Sequence, residues 1–163
     1  MVTFHAGFLP HEEQDPDFAK LQKRLAQVVG AFEARSIILS LETGQETAPV
    51  LLQLLQKLNR PNLGVNFDPA NMILYDKGDP IEAVRVLGPW IKQIHIKDAR
   101  RTKILGTWGE EVVVGSGDVD WSAFFAAVRS LNFTGDLVIE REAGNQRIPD
   151  IRQAREVVQR VAI

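Results

Sequence analysis

Apolar positions along the chain switch between two periods, five times over. VTFH at 2–5 is a short β-type run. Over 17–34, Phe18, Leu21, Leu25, Val28, Val29 and Phe32 then recur at three- and four-residue steps, the spacing of one helix face. SIILSLE at 36–42 precedes a second such stretch, 47–58, with Val50, Leu51, Leu54, Leu55 and Leu58 on one side. LGVNFD at 63–68 leads through a loop to IEAVRVLG at 81–88. WIKQIHIK at 90–97 leads through a long loop to DWSAFFAAVRSLN at 120–132, and DLVIER at 136–141 to a closing helix over 148–161. Strands alternating with helices predict βαβ units and a parallel sheet, so the fold class is α/β, with residues 1–163 as one domain. RPNLG (60–64) and NFTGD (132–136) put turn residues directly before strands, as helix-to-strand connections do. The longest loop, 99–119, has the length of a lid or binding loop, and Asp118 or Asp120 is placed to cap the helix after it.

Strand parity then separates two rows of side chains. Successive strand residues face opposite ways, so in IKQIHIKD Ile94 and Ile96 share one face while Gln93, His95 and Lys97 share the other. The same rule sets Leu39 and Leu41 against Ser40 and Glu42, and Val65 and Phe67 against Asn66 and Asp68. It sets Leu137 and Ile139 against Val138 and Glu140, and Val2 and Phe4 against Thr3 and His5. Each strand has an apolar row for the helices and a second row ending, near its C-terminus, in His5, Glu42, Asp68, His95 or Glu140. In a (β/α) barrel that second row faces inward, and active sites form at the C-terminal mouth. Three carboxylates there repel one another unless a cation neutralises them. Glu42, Asp68, His95 and Glu140 make an oxygen-rich set with one imidazole, which suits one Mn²⁺, Mg²⁺ or Co²⁺ ion better than a structural zinc, with Zn²⁺ as the remaining candidate. Plainer readings exist for each residue. A lone strand histidine is commonly a hydrogen-bonded core residue, and Glu42 before TGQET or Asp68 before PAN could be a helix cap or a solvated loop residue. The coincidence of four strands presenting ligand-type residues on one side at one end favours the metal. His5 is either a fifth ligand or a group that orients substrate.

Composition narrows the alternatives. With 163 residues, 45% hydrophobic and 25% charged, the chain can bury a sizeable core. A net charge of −2 without any basic run gives no electrostatic support for a nucleic-acid partner. No apolar run approaches the roughly 20 residues needed to span a bilayer, and MVTFHAGFLPHEEQ has neither the basic nor the apolar region of a signal peptide. The absence of cysteine excludes disulfides and thiolate metal sites and leads us to expect a cytoplasmic protein.

SLETGQET, GVNFDPANMIL, QIHIKD and VIEREAG, in this order, resemble the sugar phosphate isomerase/epimerase family of xylose isomerase-like TIM barrels. Tagatose-type 3-epimerases, inosose dehydratases and apurinic endonucleases belong to the same group. The resemblance runs from VTFHAGFLP to VIEREAG. It implies one divalent metal held at the ends of the family's last four strands, which match Glu42, Asp68, His95 and Glu140. It also implies a Lewis-acid metal, a small sugar, sugar phosphate or sugar-like polyol as substrate, and Glu42 and Glu140 as the acid/base pair. His5, Lys97, Asn71, Glu46 and Gln45 are the substrate-pocket candidates. Lys97 points into the mouth, either to a substrate oxygen or phosphate or to a salt bridge with Asp98 or Glu140, and Glu46 also suits a helix's first turn. A complete barrel has eight βα units in about 250 residues. The five units here correspond to units four to eight, so a partial barrel lacking the first three is expected, with open edges at 2–5 and 136–141 that favour a homodimer. A dehydratase using the same metal site and a non-catalytic metal- or ligand-binding remnant are the alternative functions. An endonuclease would need several metals, many histidines and a basic face, against which three histidines and a net charge of −2 argue.

Overall fold

The computed structural model describes residues 1–10, 15–104 and 106–162. The chain runs β1 (Val2–Phe4), α1 (Pro16–Glu33), β2 (Leu39–Glu42), α2 (Ala48–Leu58), β3 (Leu63–Phe67), α3 (Pro69–Leu74) and α4 (Pro80–Leu87). It continues as a 3₁₀ turn (Gly88–Trp90), β4 (Ile91–Ile96), β5 (Asp98–Arg100), β6 (Glu110–Val112), α5 (Trp121–Ser130), β7 (Asp136–Ile139) and α6 (Arg147–Val161). Aspartates start four of these helices. Asp15, Asp68, Asp79 and Asp120 each accept a backbone N–H of the first turn, and after the first three a proline follows, whose missing N–H costs nothing there.

Five strands form a parallel sheet in the order β1-β2-β3-β4-β7, half of a β/α barrel. The apolar row packs outward on the helices. Leu39, Leu41, Val65, Phe67, Ile94 and Ile96 are buried in one cluster with Leu51, Leu54 and Leu55 of α2, Val84 and Leu87 of α4 and Phe124 of α5. The Phe67 and Phe124 rings stack at 5.8 Å. Among the described residues no helix is long and apolar enough to cross a membrane. The HEEQ end (11–14) of the N-terminal stretch lies outside the described residues.

Three local expectations need correction. The segment after Asp68 is not a loop but α3, because Asp68 caps it and Pro69 opens it. The stretch 99–119 is not structureless. β5 and β6 form an antiparallel ribbon pairing Asp98 with Val112 and Arg100 with Glu110. The second strand starts at Leu39 rather than Ser36, whose positive φ of 55° places it in the turn after α1. Of the two cap candidates, Asp120 caps α5, while Asp118 accepts the Arg101 N–H at 2.8 Å.

Each outer strand pairs on one side only among the described residues. Val2 and Ile38 are 39% exposed beside the first edge, and Leu137 and Val138 are 38% exposed at the last. Bare N–H and C=O groups on apolar edges template further pairing. Sedimentation velocity at micromolar concentration is therefore expected to find a dimer or larger assembly, burying about 1,000 Å² or more. A stable monomer would contradict this.

Candidate metal centre

The second row converges. Glu42 ends β2, Asp68 follows β3, His95 lies one residue from the end of β4, and Glu140 follows β7. One ligand-type atom from each lies within 4.8 Å of the others. His95 Nδ1 stands among them, 3.5 Å from Glu42 Oε1, 3.5 Å from Asp68 Oδ2 and 3.3 Å from Glu140 Oε2. A bulge makes this alignment. Val65 pairs with Ile91 but Asn66 with Gln93, so β4 gains one residue and Gln93 and His95 come onto the face of Asn66 and Asp68. Gly64 accommodates the extra residue, since a Cβ there would lie 2.4 Å from Lys92 Cγ.

Neutral amides hold the ligands in place. Asn71 Nδ2 donates to Glu42 Oε1 at 3.0 Å, Asn66 Nδ2 to Glu42 Oε2 at 3.3 Å, and Gln93 Nε2 to Asn66 Oδ1 at 3.3 Å. Asp68 Oδ1 accepts the Asn71 N–H at 2.9 Å, and Thr43 Oγ1 accepts the Asp68 N–H at 2.8 Å. Gly44, at φ +128°, permits the approach of α3, because a Cβ would lie 2.3 Å from that of Asn71. Asn66 also meets His95 Nε2 at 3.0 Å. A ring that bound a metal through Nδ1 would carry its proton on Nε2, so the amide oxygen of Asn66 is expected to face it in that state.

Two buried atoms, Asp68 Oδ2 and His95 Nδ1, have no hydrogen-bond partner among the described residues. They face the same space between three carboxylates, and a divalent cation would satisfy both. The donor set therefore fits such an ion.

Charge coupling around the cluster is strong. Burial opposes a charged His95, but the carboxylates of Asp68, Glu140 and Glu42 crowded around Nδ1 outweigh it and push the imidazole up to about 11. Burial also opposes an ionised Glu42, yet His5 and His95 hold it well below the usual carboxylate range. His95 and then Lys97 lower Glu140, while burial raises Asp68. Lys97 is buried, with Nζ 3.0 Å from Glu140 Oε2 and 3.8 Å from Asp68 Oδ2, and is paired also with Glu142. It thus points into the mouth and pairs with Glu140, not with Asp98. His5 Nε2 lies 3.3 Å from Glu42 Oε1, outside the four-residue cluster.

Glu46 differs from the helix-turn reading. It precedes Thr47, the residue before α2, and is 4% exposed, and burial raises its carboxyl to about 7 against the pull of His5 and Lys77. Its folded value lies above the ordinary one near 4.5, so its ionisation weakens the fold as pH rises from about 4.5 through 7. Glu46→Gln is expected to be more stable than the wild type at pH 8, by about 1–3 kcal/mol in thermal unfolding, and to match it at pH 4. An equal gap at both pH values would contradict this origin.

Strand parity did not reveal Glu111. It accepts from Arg141 Nη1 at 2.6 Å and from the backbone N–H of Glu142 and Ala143 at 3.0 and 3.1 Å, while Arg141 Nε donates to Asp150 at 2.9 Å. The β5–β6 ribbon thereby grips the turn that carries Glu140 and Glu142. The only sequence signal was EEVVV inside a stretch read as loop.

A family model described as xylose isomerase-like TIM barrel matches residues 1–161. A ketose 3-epimerase of Arthrobacter globiformis is 27% identical over 111 residues, covering 68% of this chain and 33% of the relative. An L-ribulose 3-epimerase of Methylomonas sp. (strain DH-1) is 27% identical over 89 residues, 55% of this chain and 27% of the relative. The crystal structure of a xylose isomerase domain protein from Planctomyces limnophilus superposes with TM-score 0.89 at 37% sequence identity, covering 98% of this chain and 58% of that one. The chain spans about a third of the length of these curated relatives.

Proposed function

The chain belongs to the xylose isomerase-like TIM barrel family, and from that premise we propose a divalent-metal-dependent isomerase or epimerase that moves a proton next to the carbonyl of a sugar, sugar phosphate or sugar-like polyol. One ion, Mn²⁺, Mg²⁺, Co²⁺ or Zn²⁺, held by Glu42, Asp68, His95 and Glu140, would supply Lewis-acid polarisation of the carbonyl and its neighbouring hydroxyl. The observation that supports the reading is the pair of buried atoms without hydrogen-bond partners, Asp68 Oδ2 and His95 Nδ1, in a group of four ligand-type residues that each bring one ligand atom within 4.8 Å of the others.

Glu42 and Glu140 are the proton carriers. Both are held ionised by their neighbours, Glu42 by His5 and His95 and Glu140 by His95 and Lys97. One, as the carboxylate, removes the carbon-bound proton, and the other, ionised at rest, first takes a proton from solvent and then returns it to the carbon. Asn71 and His5 orient Glu42, and Lys97 keeps Glu140 in place until substrate oxygens compete for its ammonium. His5, Lys97, Asn71 and Glu46 are the substrate-facing groups. The relatives named as 3-epimerases favour epimerisation over dehydration.

The test is a screen of ketoses and keto-inositols in D₂O with added Mn²⁺, Mg²⁺ or Co²⁺, read by NMR. Deuterium uptake beside a carbonyl is the expected result. An eliminated product would assign a dehydratase instead, and absence of exchange with the metal bound would contradict the proposal.

A further inference from the structure

Beside the metal cluster lies a cavity of about 390 Å³, within the range of small-ligand sites. The cluster does not account for it. Its walls come from the segment after β1 and the loops that follow α3 and β5, and they include Phe8, Tyr75, Lys77, Lys103 and Trp108, with Asp76, whose carboxylate is paired with Arg101. Tyr75 closes α3, the six-residue helix that Asp68 caps, so this wall of the cavity stands about 10 Å from the cluster.

Its chemistry is of two kinds. Tyr75 and Trp108 meet edge to face at 5.1 Å, and Trp108 and Phe8 remain 67% and 61% exposed. Large aromatic surface left open at a polar mouth offers flat faces for the C–H groups of a ligand. The second kind is positive charge. Other cations of this mouth are engaged, Lys97 with Glu140 and Glu142, Arg101 with Asp76, and Arg141 with Glu111 and Asp150. Lys77 and Lys103 have no ion-pair partner among the described residues, although Lys77 is near enough to Glu46 to lower it. Lys103 stands on a braced turn. Thr102 Oγ1 accepts the Ile104 N–H at 3.0 Å and lies 2.6 Å from Thr107 Oγ1, which donates to the Ile104 carbonyl at 2.7 Å. These two hydroxyls are spent on the turn, leaving the ammonium groups as the cavity's charged donors.

We infer that this cavity takes the anionic end of the substrate, a terminal phosphate held between Lys77 and Lys103 while the carbon chain lies on Trp108 and Phe8. This rests on the proposed function, because the other end of that substrate must reach the metal cluster. Phosphate is favoured over carboxylate because two separate unpaired ammonium groups match its charge of about −1.5 to −2, and a single carboxylate needs only one of them.

Calorimetric titration of ribulose 5-phosphate, neutral ribulose and glucuronate, with and without Mn²⁺, tests this in the wild type and in Lys77→Gln/Lys103→Gln. The phosphate compound is expected to bind about tenfold or more tightly than either other probe in the wild type. In the double variant that advantage should fall below about threefold, with ribulose affinity and the urea midpoint unchanged. Equal affinity for phosphate and neutral probes, glucuronate binding as tightly as the phosphate, no heat from any probe, or an advantage that survives the double substitution would each overturn the inference. Failure of Mn²⁺ to bind would instead refute the metal-site reading, and the metal-free titrations would still report on the phosphate preference.

Discussion

Glu140→Gln is expected to slow deuterium exchange beside the substrate carbonyl by about 10²–10⁴-fold, the usual contribution of a positioned acid or base. The amide keeps the shape of the side chain and one oxygen acceptor, so Lys97, 3.0 Å away, retains a partner and the turn stays gripped by Glu111. What is lost is the ability to carry a proton. Glu42→Gln should have an effect of similar size, with one added consequence. His5 and His95 both lean on the Glu42 charge, so His5, which that hydrogen bond raises, should return toward its ordinary value. Metal affinity should weaken in both variants without vanishing, since three ligands remain. Exchange at the wild-type rate in Glu140→Gln would reject its role as proton carrier.

The largest effect on stability is expected at a residue outside the cluster. Asp98 is fully buried and accepts five donors: the N–H groups of Ala99 (2.9 Å), Gly115 (2.8 Å), Gly117 (3.1 Å) and Val119 (3.2 Å), and Trp121 Nε1 (3.1 Å). One carboxylate thus ties the end of β4 to the start of α5. Gly117 is glycine because a Cβ would lie 2.1 Å from Asp98 Oδ1. Asp98→Ala leaves these donors buried and unsatisfied, a loss expected to cost about 3–5 kcal/mol. Urea unfolding read by circular dichroism measures it, and amide exchange at Gly115, Gly117 and Val119 should rise first. An unchanged midpoint would contradict the role assigned to Asp98.

Much of this was legible in the residues, and for a definite reason. Parity in a strand is a local rule, so SIILSLE, LGVNFD, QIHIKD and DLVIER disclosed which side chains face the barrel interior before any pairing was known. Parity could not foresee the bulge between Val65 and Asn66, which depends on the neighbouring strand. The face of His95 was predictable, but its approach to Asn66 was not. The β5–β6 ribbon escaped notice because its strands have three residues each and pair across a gap that resembles an ordinary loop. Asp98 looked like the last residue of a strand motif, or a salt-bridge partner for Lys97, because three of its five donors are backbone groups 17 to 21 residues away. Backbone N–H groups leave no trace in side-chain patterns.

Glu42, Asp68, His95 and Glu140 are expected to hold one divalent ion between them. Electron paramagnetic resonance titration of Mn²⁺ into the purified chain counts bound ions without requiring turnover. One ion per chain in the wild type, bound markedly more weakly in both Asp68→Asn and His95→Gln while both variants keep the wild-type circular dichroism spectrum, is the predicted result. A wild-type chain that binds none, or variants that bind Mn²⁺ as tightly as the wild type, would contradict it.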